Sequence, residues 1–168
     1  MKLLKLFIAI VISGSMAASA FAHDGTINFM GRVVSGTCSA GPSASEVKLE
    51  DVAVASLSSK GKTAGDKPFE INLTNCGLVG AKTVKVKFDG LRTDDLLEVA
   101  SSKDNAKNVG IGIYNSADNS QITHDGFSTP MNVSSDKAKF NFKAKYVSKG
   151  VATVGIVKAS TTFTLHYN

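Results

Sequence analysis

The sequence predicts an all-β sandwich, and three observations support that prediction. Several segments alternate apolar and polar residues with the two-residue period of a strand. Clusters of Gly, Pro, Asn, Asp and Ser, which favour turns, separate these segments. No stretch keeps a helical period. Short strands of this kind bury one face each in a shared core, which favours a sandwich and leaves a small barrel as the alternative.

The N-terminus has the features of a secretory signal peptide. Lys2 and Lys5 precede an apolar run at residues 6–12, and the small-residue series 18–22 follows it. We expect cleavage after Ala22, with cleavage after Ala20 as the alternative. Residues 1–22 are therefore excluded from the fold, and the remaining chain is expected to be exported, soluble and about one domain in size.

The first strand of the exported chain, at residues 25–34, lies close to the expected cleavage site. One face of it carries Ile27, Phe29, Gly31 and Val33, and the other carries Thr26, Asn28, Met30 and Arg32. No turn signal folds this strand back onto the chain that follows. It therefore needs an apolar groove formed elsewhere, in the same molecule or in another copy.

The later strands follow from the same alternation. We predict them at residues 69–76, 84–88, 109–114, 139–147 and 161–168. The pattern from Val33 continues to Cys38 and is expected to break at residues 41–43, and residues 46–57 form a looser extended segment. Residues 58–66 predict a loop, residues 91–108 fit either a short strand or a helical turn, and residues 151–157 are apolar and punctuated by glycine.

The last predicted strand has no successor to pair with. Phe163, Leu165 and Tyr167 share one face, and the sequence ends at Asn168. An exposed sheet edge is a liability that proteins cover. The free N-terminal strand is the obvious cover, and alternation alone does not choose between a cover within one molecule and a cover between molecules.

Cys38 and Cys76 are the two cysteines of an exported chain, so only one pairing within the chain exists. We expect this disulfide to tie the first strand to the end of the strand at residues 69–76. A zinc site is disfavoured because such a site usually needs four ligands at short spacings, and no histidine lies nearby in the sequence.

Other function classes find little support. The net charge is +5, but the lysines are scattered rather than clustered, which argues against nucleic-acid binding. The three histidines, His23, His124 and His166, lie far apart in the sequence, and no nucleophile elbow appears. We therefore expect that the protein is not an enzyme and binds no cofactor. Gly110 and Gly112 lie inside a predicted strand rather than at the start of a helix, so they do not form a dinucleotide loop.

Taken together, several motifs resemble the pilin subunits of chaperone–usher fimbriae, especially type 1-like major subunits. The resemblance covers almost the whole exported chain. It rests on residues 25–34 followed by Cys38, the Leu73-Thr-Asn-Cys76 motif, residues 108–113, residues 142–146, and the ending at residues 162–168 with its penultimate Tyr167.

The resemblance implies an incomplete immunoglobulin-like sandwich that lacks its last strand. A periplasmic chaperone would fill the gap first, and the N-terminal extension of the next subunit would replace it. Residues 23–34 would then be the donor-strand extension and residues 35–168 the pilin domain. The donor residues would be Ile27, Phe29, Gly31 and Val33. The terminal strand beside the groove would carry Phe163, Leu165, Tyr167 and Asn168.

The predicted function is a structural subunit of an adhesive surface fimbria. The implied partners are other copies of the chain, related subunits, a periplasmic chaperone, an outer-membrane usher and possible host-surface receptors. The alternatives are a minor adaptor or receptor-binding subunit and a self-contained secreted sandwich. The expected location is the cell-surface fimbrium, reached through the periplasm.

Overall fold

The computed structural model describes residues 38–44, 46–77, 83–92, 94–133 and 136–168. The predicted signal peptide and the predicted strand at residues 25–34 lie outside these ranges. The described part is all-β apart from one 3-10 turn at Val54–Leu57. Its strands are β1 (Ser39–Pro42), β2 (Thr63–Thr74), β3 (Thr83–Asp89), β4 (Leu97–Glu98), β5 (Val109–Asn115), β6 (Met131–Asn132), β7 (Ala138–Ser148) and β8 (Thr162–Tyr167).

The strands form two antiparallel sheets of unequal size. The larger sheet has five strands in the order β1-β2-β7-β5-β4, and the smaller has three in the order β6-β3-β8. Among the described residues, β8 pairs only with β3, so it is an edge strand. The prediction of an all-β sandwich is confirmed, and the barrel alternative is wrong because the two sheets remain separate.

The core lies between the inward faces of β2, β3 and β7. Phe142 of β7 occupies its centre, with ring centroids 5.1 Å from Phe88 and 5.4 Å from Phe69. Alternate residues of these strands are almost fully buried, as the two-residue period requires. The most deeply buried are Ile71, Leu73, Val84, Val86, Phe88, Phe140 and Phe142.

β2 and β1 extend into residues for which the sequence predicts a loop and a break, respectively. β2 begins at Thr63, so the predicted loop at residues 58–66 is too long. A register shift between Ala64 and Lys67 breaks the alternation there, and Gly65 takes a positive φ of 69°. β1 includes Gly41 and Pro42, so the predicted break at residues 41–43 is wrong at its start. An edge strand tolerates a proline because one side of it needs no N–H donor.

Among the described residues of the ambiguous range 91–108, the one strand is β4, and isolated bridges join Leu91 to Leu97 and Asn105 to Ile156. β8 matches its prediction closely. Its half-buried residues Phe163, Leu165 and Tyr167 pack against the core and alternate with exposed neighbours.

A disulfide joins Cys38 and Cys76, the pairing that the sequence predicts. The two cysteines flank the paired ends of β1 and β2, where Ser39 lies opposite Thr74. The bridge closes a loop with a sequence separation of 38 residues. It fixes the first segment of the described chain to the larger sheet.

Reduction of this disulfide should lower the free energy of unfolding by about 4 kcal/mol, because the unfolded chain regains the entropy of the closed loop. Guanidinium unfolding of the purified exported protein, with and without dithiothreitol, measures the difference. The Cys38→Ser/Cys76→Ser variant, which should be insensitive to dithiothreitol, is the control. Equal unfolding midpoints for the oxidised and reduced protein would contradict a stabilising role.

Candidate functional site

An open groove of about 990 Å³ lies beyond the edge of the smaller sheet. Its floor is the inner face of the larger sheet, where five strands face only three. The floor is almost entirely apolar. It consists of Phe69, Leu97, Val109, Ile111, Ile113, Ala144 and Tyr146.

Two irregular segments form the walls of the groove. The first wall comes from residues 46–57 and the second from residues 152–161. Residues 46–52 belong to no helix or strand and make no backbone–backbone hydrogen bond with another described residue. The second wall is bonded on its outer side, where Ile156 N–H donates to Asp104 O at 2.9 Å and Ala106 N–H donates to Ile156 O at 3.0 Å.

β8 continues directly from the second wall, because Thr161 lines the groove and β8 begins at Thr162. At the other end of β8, Cys38 N–H donates to Tyr167 Oη at 3.0 Å. The start of the described chain and the end of β8 are therefore in direct contact. The groove is lined by Ser160 and Thr161, which precede β8, and by no residue of β8 itself.

The structure places the predicted terminal-strand residues beside the groove rather than in it. Phe163, Leu165 and Tyr167 point into the core, and Asn168 pairs through its backbone with Thr83, with N–H donors 3.0 and 3.2 Å from their acceptors. The predicted donor residues Ile27, Phe29, Gly31 and Val33 lie outside the described residues.

Sequence reasoning did not identify the walls of the groove. The available signals were weak: the loose alternation of Val47 and Leu49, and the apolar character of residues 151–157. Neither segment forms a strand in the structure, so neither alternates strictly.

The charged residues that line the groove come from its walls and not from its floor; they are Glu46, Lys48, Asp51 and Lys158. Glu50 and Lys67 lie next to this lining in the sequence or the fold but do not line the groove. Glu50 accepts a hydrogen bond from Lys67 Nζ at 2.9 Å, and this lysine lowers the pKa of the exposed carboxyl. Burial, with a smaller contribution from the charges of Asp51 and Glu50, raises the pKa of the Tyr146 hydroxyl on the floor. Tyr146 is therefore neutral at physiological pH, and the floor favours an apolar occupant.

No group of three or more His, Cys, Asp and Glu side chains within the described ranges could hold a metal ion. In the same part of the chain, no helix has the length and hydrophobicity needed to cross a bilayer.

A sandwich with an unpaired edge strand beside an apolar groove defines a class of β-proteins that can bind an extended segment as an added strand. The family model described as "Fimbrial protein" matches residues 27–168. The chain therefore belongs to the fimbrial protein family.

Curated relatives include both minor and major subunits. The chain is 34% identical over 177 residues to "Minor fimbrial subunit HifD" of Haemophilus influenzae, covering 91% of this chain and 78% of that one. It is 31% identical over 165 residues to "Probable major fimbrial subunit LpfA" of Escherichia coli O157:H7, covering 95% and 92%. The protein is thus an exported structural subunit of cell-surface fimbriae.

Solved structures confirm the predicted immunoglobulin-like fold. The P pilus rod subunit PapA superposes with a TM-score of 0.62 at 18% identity, covering 80% of this chain and all (100%) of that one. The CupB6 tip adhesin from Pseudomonas aeruginosa gives a TM-score of 0.51 at 23% identity over 63% of this chain, and the match spans only 31% of the adhesin.

Gly155→Ala should displace the second wall, because a Cβ at Gly155 would lie 2.3 Å from the backbone nitrogen of Ala106. Backbone atoms cannot rotate aside, so we expect a loss of about 1–3 kcal/mol in the free energy of unfolding. Gly150→Ala is the matched control, since its Cβ would meet no atom closer than 3.7 Å. The midpoint of denaturant unfolding is measured for both variants. Equal midpoints for Gly155→Ala and Gly150→Ala would show that the second wall accommodates the added methyl group without loss of stability.

Proposed function

We propose that the groove receives residues 23–34 of another copy of this chain, or of a related subunit, as an added strand. The observation that supports this proposal is the apolar groove beside the unpaired edge of β8. The edge offers backbone hydrogen bonds, and the floor offers apolar contacts for alternate side chains. The role is structural and requires no catalysis and no cofactor.

The N-terminal segment has the pattern that such a groove requires. Its inward face would carry Ile27, Phe29, Gly31 and Val33, which match an apolar floor. A shift of one residue would turn Asn28 and Arg32 inward instead, so the alternation fixes the register. Gly31 would pass where the strand comes closest to its neighbour, as strand glycines often do.

Strand donation between copies leads to a fibre. The donor segment of one subunit and the groove of the next are different surfaces, so the contact is heterologous and does not close on itself. Each added subunit presents the next unfilled groove. This is polymerisation by donor-strand exchange, and it accounts for a structural subunit without a separate cross-linking site.

Before polymerisation, the open edge needs a temporary cover, because exposed edges and apolar grooves promote aggregation. We propose that a periplasmic chaperone supplies this cover and grips the terminal carboxylate of Asn168, and that an outer-membrane usher then exchanges it for the next donor. Asn168 is exposed, and its backbone pairing with Thr83 holds it at the end of the β3–β8 ladder.

Gly31→Leu should prevent fibre assembly while leaving the subunit in the periplasm, because the added side chain would clash in the filled groove. Thr26→Leu, on the outward face of the same strand, is the matched control and should assemble. Electron microscopy of cells and the ladder of oligomers on unheated gels measure assembly. Fibres at the normal level from Gly31→Leu would overturn the proposed register.

Filling the groove within one molecule should remove the need for a partner. A variant that carries residues 23–34 after Asn168 through a short flexible linker, and lacks the original copy, should be a soluble monomer. It should unfold at a higher temperature than the same chain with a linker of equal length and no appended segment, because the tether raises the effective concentration to the order of millimolar. Equal melting temperatures would favour the self-contained sandwich.

A further inference from the structure

Four of the five large apolar side chains that are exposed in the described chain come from two segments that meet at one end of the sandwich. We call them the aliphatic cluster; they are Val54, Val151, Val154 and Ile156. Val154 is 86% exposed and Val151 is 69% exposed. The two segments meet where Ala152 N–H donates to Leu57 O at 3.2 Å. Grouped apolar side chains in water mark interaction surfaces, whereas isolated ones need no explanation.

The aliphatic cluster and the disulfide lie at opposite ends of the larger sheet. Ser148 Oγ, at the end of β7, donates to Leu57 O at 3.2 Å. This end of β7 pairs with the start of β2, where Val147 lies opposite Thr63. The disulfide flanks the other end of β2, beside Thr74. At a rise of about 3.3 Å per residue, the 12 residues of β2 separate the two ends by about 35 Å.

The direction of β8 relates these two ends to the donor strand. β8 starts where the second wall ends and runs toward the disulfide end, where Tyr167 Oη accepts a hydrogen bond from Cys38 N–H. A strand added antiparallel to β8 therefore begins nearer the disulfide end and leaves along the second wall, which carries Val154 and Ile156. Every strand pair in the described sheets is antiparallel, and antiparallel pairs are slightly more stable per residue than parallel pairs. The chain that follows the donor segment would then emerge at the aliphatic cluster.

The link between a donor segment and its own pilin domain is short. Residues 35–37 alone separate Val34 from Cys38, so these two residues lie at most about 14 Å apart. Ser39 and Ala40, which follow Cys38 at the start of β1, are exposed. The disulfide end of the donor subunit must therefore come close to the point where its strand leaves the groove of the receiving subunit.

We propose that the aliphatic cluster of the receiving subunit packs against the disulfide end of the donor subunit, around Ser39 and Ala40. The occupant is a second copy of this chain, and the proposal rests on the strand donation proposed above. Asp51 and Lys158 are exposed on the same two walls, so the contact has an apolar centre with charged residues nearby, as protein interfaces commonly do. Neighbouring pilin domains are then held together by a surface contact as well as by the donated strand.

Photo-crosslinking of fibres assembled from full-length chains tests the position of the contact. The residue p-benzoylphenylalanine in place of Val154 should link neighbouring subunits, and mass spectrometry should locate the link within residues 38–44 or 74–77. Phe127, the fifth exposed apolar side chain, is the control, because it packs against His166 of β8 with ring centroids 4.7 Å apart. The same probe at position 127 should give no link to residues 38–44. Position 151 takes the probe if the variant at position 154 does not assemble. Links from the cluster to any other part of the neighbour, or no links, would overturn the contact.

Removal of the apolar side chains should loosen the fibre without destabilising the subunit. Val154→Ser/Ile156→Ser should speed dissociation of fibres into monomers about tenfold, which corresponds to 1.4 kcal/mol. The rate is followed on gels at a fixed temperature in detergent, and Val154→Ser alone serves if the double variant does not fold. Phe127→Ser, the matched control, should dissociate at the wild-type rate. The midpoint of denaturant unfolding should be unchanged for the unassembled subunit, because the cluster is exposed there. An unchanged dissociation rate, or a lower midpoint for the unassembled subunit, would contradict a contact between subunits.

Failure of this contact and failure of strand donation are distinguishable. If Gly31→Leu blocks assembly while the probe at position 154 links no residue of the disulfide end, strand donation stands and the contact is wrong. If Gly31→Leu assembles at the normal level, the proposed register of the donor is wrong, and the contact that rests on it is withdrawn as well.

Discussion

The unequal size of the two sheets is the constraint on which the rest of the structure depends. A sheet of five strands presents more inner surface than three strands can cover, and the surplus is the floor of the groove. Burial of apolar surface contributes about 25 cal/mol per Å², so a partly covered floor forgoes stabilisation that an occupant could restore. Within the described chain, the floor is therefore left uncovered by the number of strands in the smaller sheet rather than by any single residue.

Within the described chain, the second wall is not placed to cover the exposed floor of the groove. Ile156 and its neighbours are hydrogen-bonded outward to residues 104–107, so they are not free to fold inward over the floor. The disulfide and the contact between Cys38 and Tyr167 fix the other boundary at one end. The second wall and β8 are therefore held in place beside the groove, and a boundary that is ordered before binding lowers the ordering cost of an added strand.

Strands with a clean two-residue period were predictable from the sequence, including the inward faces of β7 and β8 and the pairing of the cysteines. The segments that define the site were not. Residues 46–52 and 152–161 form no strand within the described chain, so no strict alternation of buried and exposed residues marks them in the sequence. The bulge near Gly65 hid the start of β2 for a related reason, since one inserted residue reverses the apparent alternation. The resemblance to pilins supplied what periodicity could not, namely the expectation of an acceptor groove.

The proline in β1 has a consequence for the shape of the assembly. Besides β8, the outer strands of the described sheets are β1 with 4 residues, β4 with 2 and β6 with 2, and β1 ends in Pro42, which has no N–H to donate. Short edge strands, and edge strands that end in proline, are poor templates for pairing with a strand of another molecule. Under the strand donation proposed above, growth by strand pairing is then restricted to one direction, so that subunits lengthen one fibre instead of associating laterally into sheets or amorphous precipitate.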